Sequence, residues 1–163
     1  MTFLDTDQIS ASISLIHHQD KEQRVVGMSD LVKIGKPALP ALKKLLTDPD
    51  WRVRYRGAEA LGLINEEETL SDLISICTDP RDHVRYMAAK SLGLMGSVQA
   101  LPALTSLLTD EHSYTRGIAA EGIAKISGPE SYPILREALS READSGVRDR
   151  IYTCLKEKKR ENI

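Results

Sequence analysis

Arginine and aspartate recur at a fixed interval in the middle of this chain of 163 residues. Arg54, Arg85 and Arg116 stand 31 residues apart. Three aspartates precede them at the same interval: Asp48, Asp79 and Asp110. A planar guanidinium binds carboxylates and phosphates through two parallel hydrogen bonds. The arginines could therefore bind an acidic ligand, or they could pair with the aspartates and tie neighbouring segments together. Because the acids share the interval of the arginines, we predict the second role, a structural ladder.

The other residues suited to catalysis or metal binding are scattered. His17 and His18 are adjacent, so on a helix they point about 100° apart and cannot hold one metal together. His83 and His112 have no cysteine or second histidine at the spacing of a metal site. Cys77 takes a position that leucine holds elsewhere in the pattern, which favours a small buried hydrophobic residue. We therefore predict no catalytic residue, no metal and no cofactor, and hence no enzyme.

Composition narrows the environment of the chain. A net charge of −2 gives no general attraction to nucleic acid or anionic lipid. Two cysteines cannot build a disulfide framework and suggest a reducing compartment. The first residues do not resemble a signal peptide, and no apolar run is long enough to cross a membrane. We expect a cytoplasmic protein that is not bound to a membrane.

Further strings share the interval of the arginines. They are Thr-Asp at 47, 78 and 109, Leu-Gly at 61 and 92, and Ala-Leu-Pro-Ala-Leu at 38–42 and 100–104. Self-similarity at such an interval is typical of a repeat protein in which each unit packs only on its neighbours. With one phenylalanine and one tryptophan, the core must be aliphatic.

Each repeat is predicted to contain two helices. In residues 51–64 the apolar positions follow helical spacing, with Asp50 placed as the N-terminal cap. Asn65 ends this helix, and Gly96 takes the equivalent position one repeat later. The second helix should cover about residues 66–78. Prolines fall in its first turn, where a missing N–H costs nothing: Pro40, Pro102 and Pro133.

These patterns predict an all-α fold, a right-handed α-solenoid of ten helices in about five antiparallel pairs. We expect a single domain over residues 1–163. Its predicted parts are a capping helix in 1–20, repeats at 21–48, 49–79, 80–110 and 111–143, and a capping helix with a polar tail in 144–163. The tail from Lys156 onward is expected to be solvated.

The repeated unit reads Asp-Pro-x-x-x-Val-Arg-x-x-Ala-x-x-Leu-Gly and is followed by a leucine-rich helix. The residues that match it are Asp48, Pro49, Val53, Arg54, Ala58, Leu61 and Gly62, then Asp79, Pro80, Val84, Arg85, Ala89, Leu92 and Gly93. This pattern resembles the short HEAT-like repeats of phycobilin lyase subunits and covers about residues 24–155. In the fourth unit Ile123-Ala124 replaces Leu-Gly. The resemblance implies an armadillo-like solenoid but no particular activity. HEAT-like deoxyhypusine hydroxylases use His-Glu dipeptides to bind iron, and this chain has none.

Two faces of the solenoid are candidates for binding. The second helices are expected to line the concave wall, with Lys43, Lys44, Ser71, Ile74, Ser75, Thr105, Ser106 and Arg136 as contact residues. The first helices are expected to present an outer face with Arg52, Tyr55, Arg56, Tyr86, Met87, Tyr114 and Ile118. Aromatic residues, methionine and arginine are enriched at interfaces, so the outer face could also mediate self-association.

The favoured hypothesis is a non-catalytic scaffold that binds a protein or peptide along the solenoid surface. The alternative is an accessory subunit or chaperone of an enzyme, similar to a phycobilin lyase. Nucleic-acid binding is less favoured, because the negative net charge of the chain opposes the attraction between its arginines and phosphates. Those arginines are Arg52, Arg54, Arg56, Arg81 and Arg85.

Overall fold

A computed structural model describes residues 3–161 of the chain. Ten α-helices and no strand lie in this range, which confirms the predicted all-α fold. The helices are α1 (Phe3–Ile16), α2 (Lys21–Ile34), α3 (Leu39–Leu45), α4 (Trp51–Ile64), α5 (Leu70–Ser75), α6 (Asp82–Met95), α7 (Leu101–Leu107), α8 (Ser113–Lys125), α9 (Ser131–Arg141) and α10 (Ser145–Glu161). Below, α2, α4, α6 and α8 are called the first helices, and α3, α5, α7 and α9 the second helices. None of the ten is both long and apolar enough to span a membrane.

The ends of the first helices are where the sequence places them. The carboxylate of Asp50 accepts a hydrogen bond from the backbone N–H of Arg52 and caps α4. Asn65 ends α4 in the left-handed conformation at φ 57°, and Gly96 ends α6 at φ 63°. The N–H of Asn65 donates to the carbonyl of Leu61 and so satisfies one of the free carbonyls at the helix end.

The second helices are shorter than predicted. The helix expected over residues 66–78 is a 3-10 turn at Glu67–Thr69, the short α5, and another 3-10 turn at Ile76–Thr78. In the first turn both the N–H and the hydroxyl of Thr69 donate to the Glu66 carbonyl, at 2.9 and 2.7 Å. These tighter bonds satisfy backbone groups that a short α-helix leaves unpaired at its ends.

A continuous aliphatic core runs between the two rows of helices. Fully buried residues include one from each successive helix from α2 to α9: Leu31, Leu42, Leu61, Leu73, Leu92, Leu104, Ile123 and Leu135. Burying each such side chain stabilises the fold by about 1.5–3 kcal/mol before the entropy of ordering is subtracted. The core is therefore a strip shared between neighbours, as expected for stacked repeats.

Glycines let the first helices approach one another closely. A side chain on Gly62 would begin 2.4 Å from the Cβ atom of Ser91, and one on Gly93 would begin 2.7 Å from the Cα atom of Gly122. Between α4 and α6, beside Gly62, the hydroxyl of Ser91 donates to the Ala58 carbonyl at 2.9 Å. Successive first helices pack directly on each other, whereas successive second helices touch little. The recurring Leu-Gly pair thus places a buried leucine beside a close helix contact.

The C-terminal helix is packed further along its length than the sequence suggests. α10 lies against α8 and α9 and buries Ile151, Cys154 and Leu155. Lys158 is 5% exposed, and its Nζ donates to the carbonyl of Ile126 at 2.9 Å. The expectation of a solvated tail is therefore wrong at Lys158, because an aliphatic stem can pack while its ammonium reaches a carbonyl. Residues 1–2 and 162–163 of the predicted caps lie outside the described residues.

Candidate binding surfaces

The arginine ladder joins each repeat to the next one along the chain. Arg85 donates from Nε and Nη2 to the two carboxylate oxygens of Asp110, at 2.6 and 3.1 Å. Its Nη1 donates to the backbone carbonyl of Asp79 at 2.9 Å. One guanidinium on α6 therefore bridges the turn before α6 and the carboxylate that precedes α8, which is the geometry that favours arginine over lysine.

The two neighbouring arginines repeat this arrangement, with one difference in the acid. Arg54 binds the carboxylate of Asp79 at 2.7 and 2.8 Å. Arg116 binds Glu142 rather than an aspartate, also at 2.7 and 2.8 Å. The sequence pattern misses Glu142 because the fourth repeat contains an extra residue and ends without Thr-Asp. The carboxylate of Asp48 is bound by His17 at 2.9 Å, so Asp48 contributes only its carbonyl to the arginine ladder.

The acids of the ladder are held in their charged form. The hydrogen bonds from Arg116 lower the pKa of Glu142, against the opposing effect of burial. Burial would raise the pKa of Asp110, but the hydrogen bonds from Arg85 and the His112 N–H lower it below its usual range. Because the side chains of Arg85 and Asp110 are only 12% and 5% exposed, this pair is poorly placed to bind a ligand.

The residues predicted for the concave wall lie on the second helices with mixed exposure. Lys44, Ser71, Ser75, Ser106 and Arg136 are exposed, whereas Lys43, Ile74 and Thr105 are partly buried. The ammonium of Lys43 lies 3.2 Å from the Asp72 carboxylate and donates to the Glu68 carbonyl at 2.9 Å. Lys43 therefore bridges two repeats, and its charge is already compensated.

The first helices carry a connected set of rings on their surface, here called the aromatic row: Trp51, His83, Tyr86, His112 and Tyr114. The Trp51 and His83 ring centres are 5.0 Å apart, and the His83 and Tyr114 centres are 6.1 Å apart. Tyr86 and His112 lie 6.0 and 5.3 Å from Tyr114. The row therefore crosses three repeats without interruption.

Two residues assigned to this face from the sequence are not on the surface. Met87 is 1% exposed and Ile118 is 8% exposed, and both belong to the core. The expectation that they contact a partner is therefore wrong. The close spacing of the first helices covers positions that would be accessible on a single helix. Tyr55 and Tyr86 are partly exposed, and Tyr114 is 37% exposed.

A cleft of about 380 Å³ opens at the N-terminal end of the aromatic row, and we call it the Trp51 cleft. Its lining residues are Lys21, Arg24, Trp51, Arg52, Tyr55, Arg56 and His83. The Arg81 guanidinium lies 4.9 Å from the centre of the Trp51 ring, and Arg56 lies 5.2 Å from that of Tyr55. Burial raises the pKa of Tyr55. The cleft thus combines aromatic surface with several positive charges.

The side chains that could carry nucleophilic or metal chemistry are occupied by other contacts or buried. Asp82 accepts a hydrogen bond from His83 at 2.9 Å and lies 3.5 Å from His112. Within residues 3–161 no group of three histidine, cysteine or acidic side chains is placed to hold a metal ion. Burial raises the pKa of the Cys77 thiol to about 12 and that of Cys154 to about 11, so neither is a reactive thiolate at neutral pH.

Stacked helix pairs joined by a one-per-repeat arginine contact define an α-solenoid. A family model described as HEAT repeats matches residues 9–85 and 70–156. These stretches span most of the chain, and the chain therefore belongs to the HEAT repeat family. A comparison with curated proteins finds no match.

Solved structures share the fold. One is a chain of the complex of CpcE and CpcF of phycocyanin lyase from Nostoc sp. PCC7120, with a TM-score of 0.83, 23% identity, and coverage of 91% of this chain and 98% of that one. Another is a designed armadillo repeat protein in complex with the peptide (KR)4, with a TM-score of 0.67, 21% identity, and coverage of 94% and 82%. A third, computationally designed for modular peptide recognition, has a TM-score of 0.64, 19% identity, and coverage of 94% and 83%. At these identities the similarity shows the fold alone.

Proposed function

We propose that this protein is a non-catalytic scaffold that binds a protein or peptide segment along the surface of its first helices. The observation that carries the proposal is the aromatic row, which extends from Trp51 to Tyr114 with successive ring centres 5.0 and 6.1 Å apart. Tyrosine, tryptophan and arginine supply most of the energy at protein interfaces. A connected row over three repeats supports an extended polypeptide as the ligand.

The spacing of the helices favours this face over the second helices. The glycine contact between Gly93 and Gly122 brings the first helices together, while successive second helices touch little. The close packing of the first helices thus gives them one continuous, extended surface of the kind that solenoids use for binding. The second helices, predicted from the sequence to line the concave wall, are the alternative surface.

The charge arrangement argues against nucleic acid as the ligand. Arg54 and Arg85 are held by the ladder carboxylates. Arg52 and Arg56 each pair with an acid on their own helix or its cap, Asp50 and Glu59. An arginine that is already neutralised by a carboxylate adds little to phosphate binding.

Selection from a displayed library of random peptides tests the scaffold hypothesis directly. The double variant Tyr86→Ala/Tyr114→Ala removes the C-terminal half of the aromatic row. We expect this variant to bind the selected peptides with an affinity lower by about tenfold or more, measured by fluorescence anisotropy. The matched control is Lys44→Glu/Ser75→Ala on the exposed surface of the second helices, which should leave the affinity unchanged.

The opposite pattern would contradict the choice of face. If the control variant abolished binding and the tyrosine variant did not, the ligand would lie on the second helices. If no peptide were selected under conditions in which a designed armadillo protein yields binders, peptide binding itself would be rejected.

A second candidate is an accessory or chaperone function related to phycobilin lyases. The structural similarity to the phycocyanin lyase complex and the aromatic, positively charged Trp51 cleft support it. A bilin is an open-chain tetrapyrrole with propionate groups, which such a cleft could accept. When phycocyanobilin is mixed with the protein, the absorbance of the bilin should then shift. The fluorescence of Trp51, the single tryptophan, should be quenched. An unchanged spectrum at excess protein would reject this candidate.

A further inference from the structure

The guanidinium of Arg24 begins the arginine ladder but lacks the acid that the other ladder arginines bind. Its Nη1 donates to the carbonyls of His18 and Gln19 at 2.7 and 2.6 Å, as Arg54 does with the equivalent carbonyls of the next repeat. Arg54 then binds Asp79 through Nε and Nη2. No carboxylate that the structure describes lies within 4.0 Å of Arg24.

The expected partner of Arg24 is occupied by another residue. Asp48 holds the position before α4 that Asp79 holds before α6. Its carboxylate is bound by His17 Nε2 at 2.9 Å. The first repeat is also one residue shorter, since Arg24 precedes Arg54 by 30 residues instead of 31. The two donors of Arg24 that bind a carboxylate elsewhere are therefore left without one.

Burial makes this missing partner significant. Arg24 is only 9% exposed, and it lines the Trp51 cleft. A nearly buried guanidinium whose Nε and Nη2 have no carboxylate partner at the edge of a cleft suits an external anion. The second observation is independent of the ladder, because the cleft itself has room for a ligand side chain at about 380 Å³.

The surroundings of Arg24 add one uncompensated positive charge, that of Lys21. Lys21, Arg52 and Arg56 also line the cleft, and Lys21 makes no ion pair with any residue that the structure describes. The nearby acids are already engaged. Asp50 is held by Arg52, and its pKa is lowered first by that hydrogen bond and, to a smaller extent, by the charge of Arg24. Glu59 is held by Arg56. The cleft thus keeps a positive excess.

We propose that the Trp51 cleft binds an aspartate or glutamate side chain of a partner polypeptide, whose carboxylate accepts hydrogen bonds from Nε and Nη2 of Arg24. Adjacent apolar side chains of the ligand pack on Trp51 and Tyr55. The proposal rests on the proposed function, since it gives the partner chemistry at one end of the aromatic row. A carboxylate is favoured over a phosphate because all three other ladder sites hold a carboxylate in this position.

Trp51 provides a reporter inside the site, because the chain has no other tryptophan. We would titrate the full chain with an unlabelled octapeptide of alternating glutamate and leucine and follow the fluorescence emission of Trp51. The expected result is a saturable change that a glutamine-leucine octapeptide does not produce. No change up to millimolar peptide would overturn the proposal.

Variants separate the role of the charge from folding. Arg24→Gln should lower the affinity for the glutamate peptide by about tenfold, the loss typical of one charge-assisted hydrogen-bonding pair. Since Arg24→Gln also loses the backbone contacts and could fail to fold, Lys21→Glu is the second variant. Lys21 is exposed, so its reversal should keep the fold and weaken binding by about threefold or more. Lys44→Glu, an equal charge change on the second helices, is the control and should have no effect.

The outcomes distinguish this proposal from the scaffold function. If anisotropy of a labelled peptide reports binding while Trp51 emission and the Lys21→Glu affinity stay unchanged, the acidic site is wrong and the scaffold function stands. If a peptide with phosphoserine in place of glutamate binds about tenfold more tightly, the carboxylate assignment is overturned in favour of phosphate.

Discussion

The Cα atom of Gly122 occupies the place where a side chain on Gly93 would begin, since a Cβ atom built on Gly93 would lie 2.7 Å from it. Real Cβ atoms essentially never approach another carbon so closely. This contact joins α6 to α8 at backbone distance and helps to hold the aromatic row together across the repeats. The arrangement of the first-helix surface therefore depends on glycines that lie beneath it.

Replacing Gly93 by alanine tests this contact. The new methyl group would meet backbone, which cannot move without separating α6 from α8, so we expect a loss of about 1–3 kcal/mol in the free energy of unfolding. Gly122→Ala is the matched comparison. Its Cβ atom would lie 3.3 Å from the Ala89 carbonyl and the Leu104 side chain, a milder contact. Urea unfolding should rank Gly93→Ala as the less stable variant, and an equal or reversed ranking would contradict the interpretation.

The Arg85–Asp110 pair gives a second prediction. Arg85→Ala leaves a mostly buried carboxylate without its counter-charge, and we expect a loss of about 2–4 kcal/mol in unfolding free energy. Arg85→Lys keeps the charge but loses the two parallel bonds and the carbonyl contact, so it should cost less than alanine but still destabilise. Arg81→Ala, an exposed arginine near the ladder, should change stability by less than about 0.5 kcal/mol. Thermal or urea unfolding of the three variants measures these differences.

The acids of the ladder also give the expected response to low pH. The pKa values of Asp110 and Glu142 are lowered in the folded state, so the stability they add is present above their unfolded pKa values, near 4. It should be lost as the pH falls through the lowered folded values. Asp110→Asn should therefore show a shallower loss of stability than the wild type when urea unfolding is repeated from about pH 5 down to pH 3. An unchanged slope would show that Asp110 is not held charged by the fold.

Much of the fold follows from the sequence because local chemistry decides it. The bounds of α4 depend on Asp50 and Asn65, whose cap preferences are intrinsic to aspartate and asparagine. The core follows from leucines at helical spacing, which have the same environment in every repeat. The ladder itself is predictable for the same reason, since two columns of opposite charge share one interval.

What the sequence does not supply is the distance between neighbouring helices. Met87 and Ile118 would be accessible on an isolated helix, but the packing of the repeats buries them. The spacing of the repeated residues also does not show which neighbouring side chain each of them contacts. It therefore cannot reveal that His17 binds Asp48 and leaves Arg24 without an acid. The acidic-ligand site proposed at the Trp51 cleft depends on this exception to the repeat.

The left-handed end of α4 offers a test of backbone preference. Asn65 has φ 57°, a conformation that glycine adopts without strain and that Gly96 adopts one repeat later. Asn65→Gly should change the unfolding free energy by less than about 1 kcal/mol, with a stabilising sign, whereas Asn65→Ala should cost about 1 kcal/mol. Gly96→Ala is the control with the same geometry and should be destabilising as well. Equal stability of glycine and alanine at position 65 would contradict this view of the helix end.

His17 should make the N-terminal repeat sensitive to pH. Its Nδ1 faces the Ile13 carbonyl at 2.9 Å and its Nε2 faces the Asp48 carboxylate at 2.9 Å. Both partners only accept hydrogen bonds, so both ring nitrogens donate only when the imidazole is protonated. The contact to Ile13, followed by that to Asp48, raises the pKa of His17 above its ordinary value. The raised pKa means that this stabilisation is fully present below the unfolded pKa of about 6.5 and is lost as the pH rises through the folded value.

The expected loss is small, because the His17 side chain is 45% exposed and exposed ion pairs contribute less than about 1 kcal/mol. Urea unfolding at about pH 6 and pH 8.5 should show a smaller pH effect in His17→Gln than in the wild type. Comparing the two proteins removes the contributions of His18, His83 and His112, which both contain. Hydrogen exchange should place the difference in α1 and α2. If the variant and the wild type respond equally to pH, the raised pKa and the link between His17 and Asp48 are both wrong.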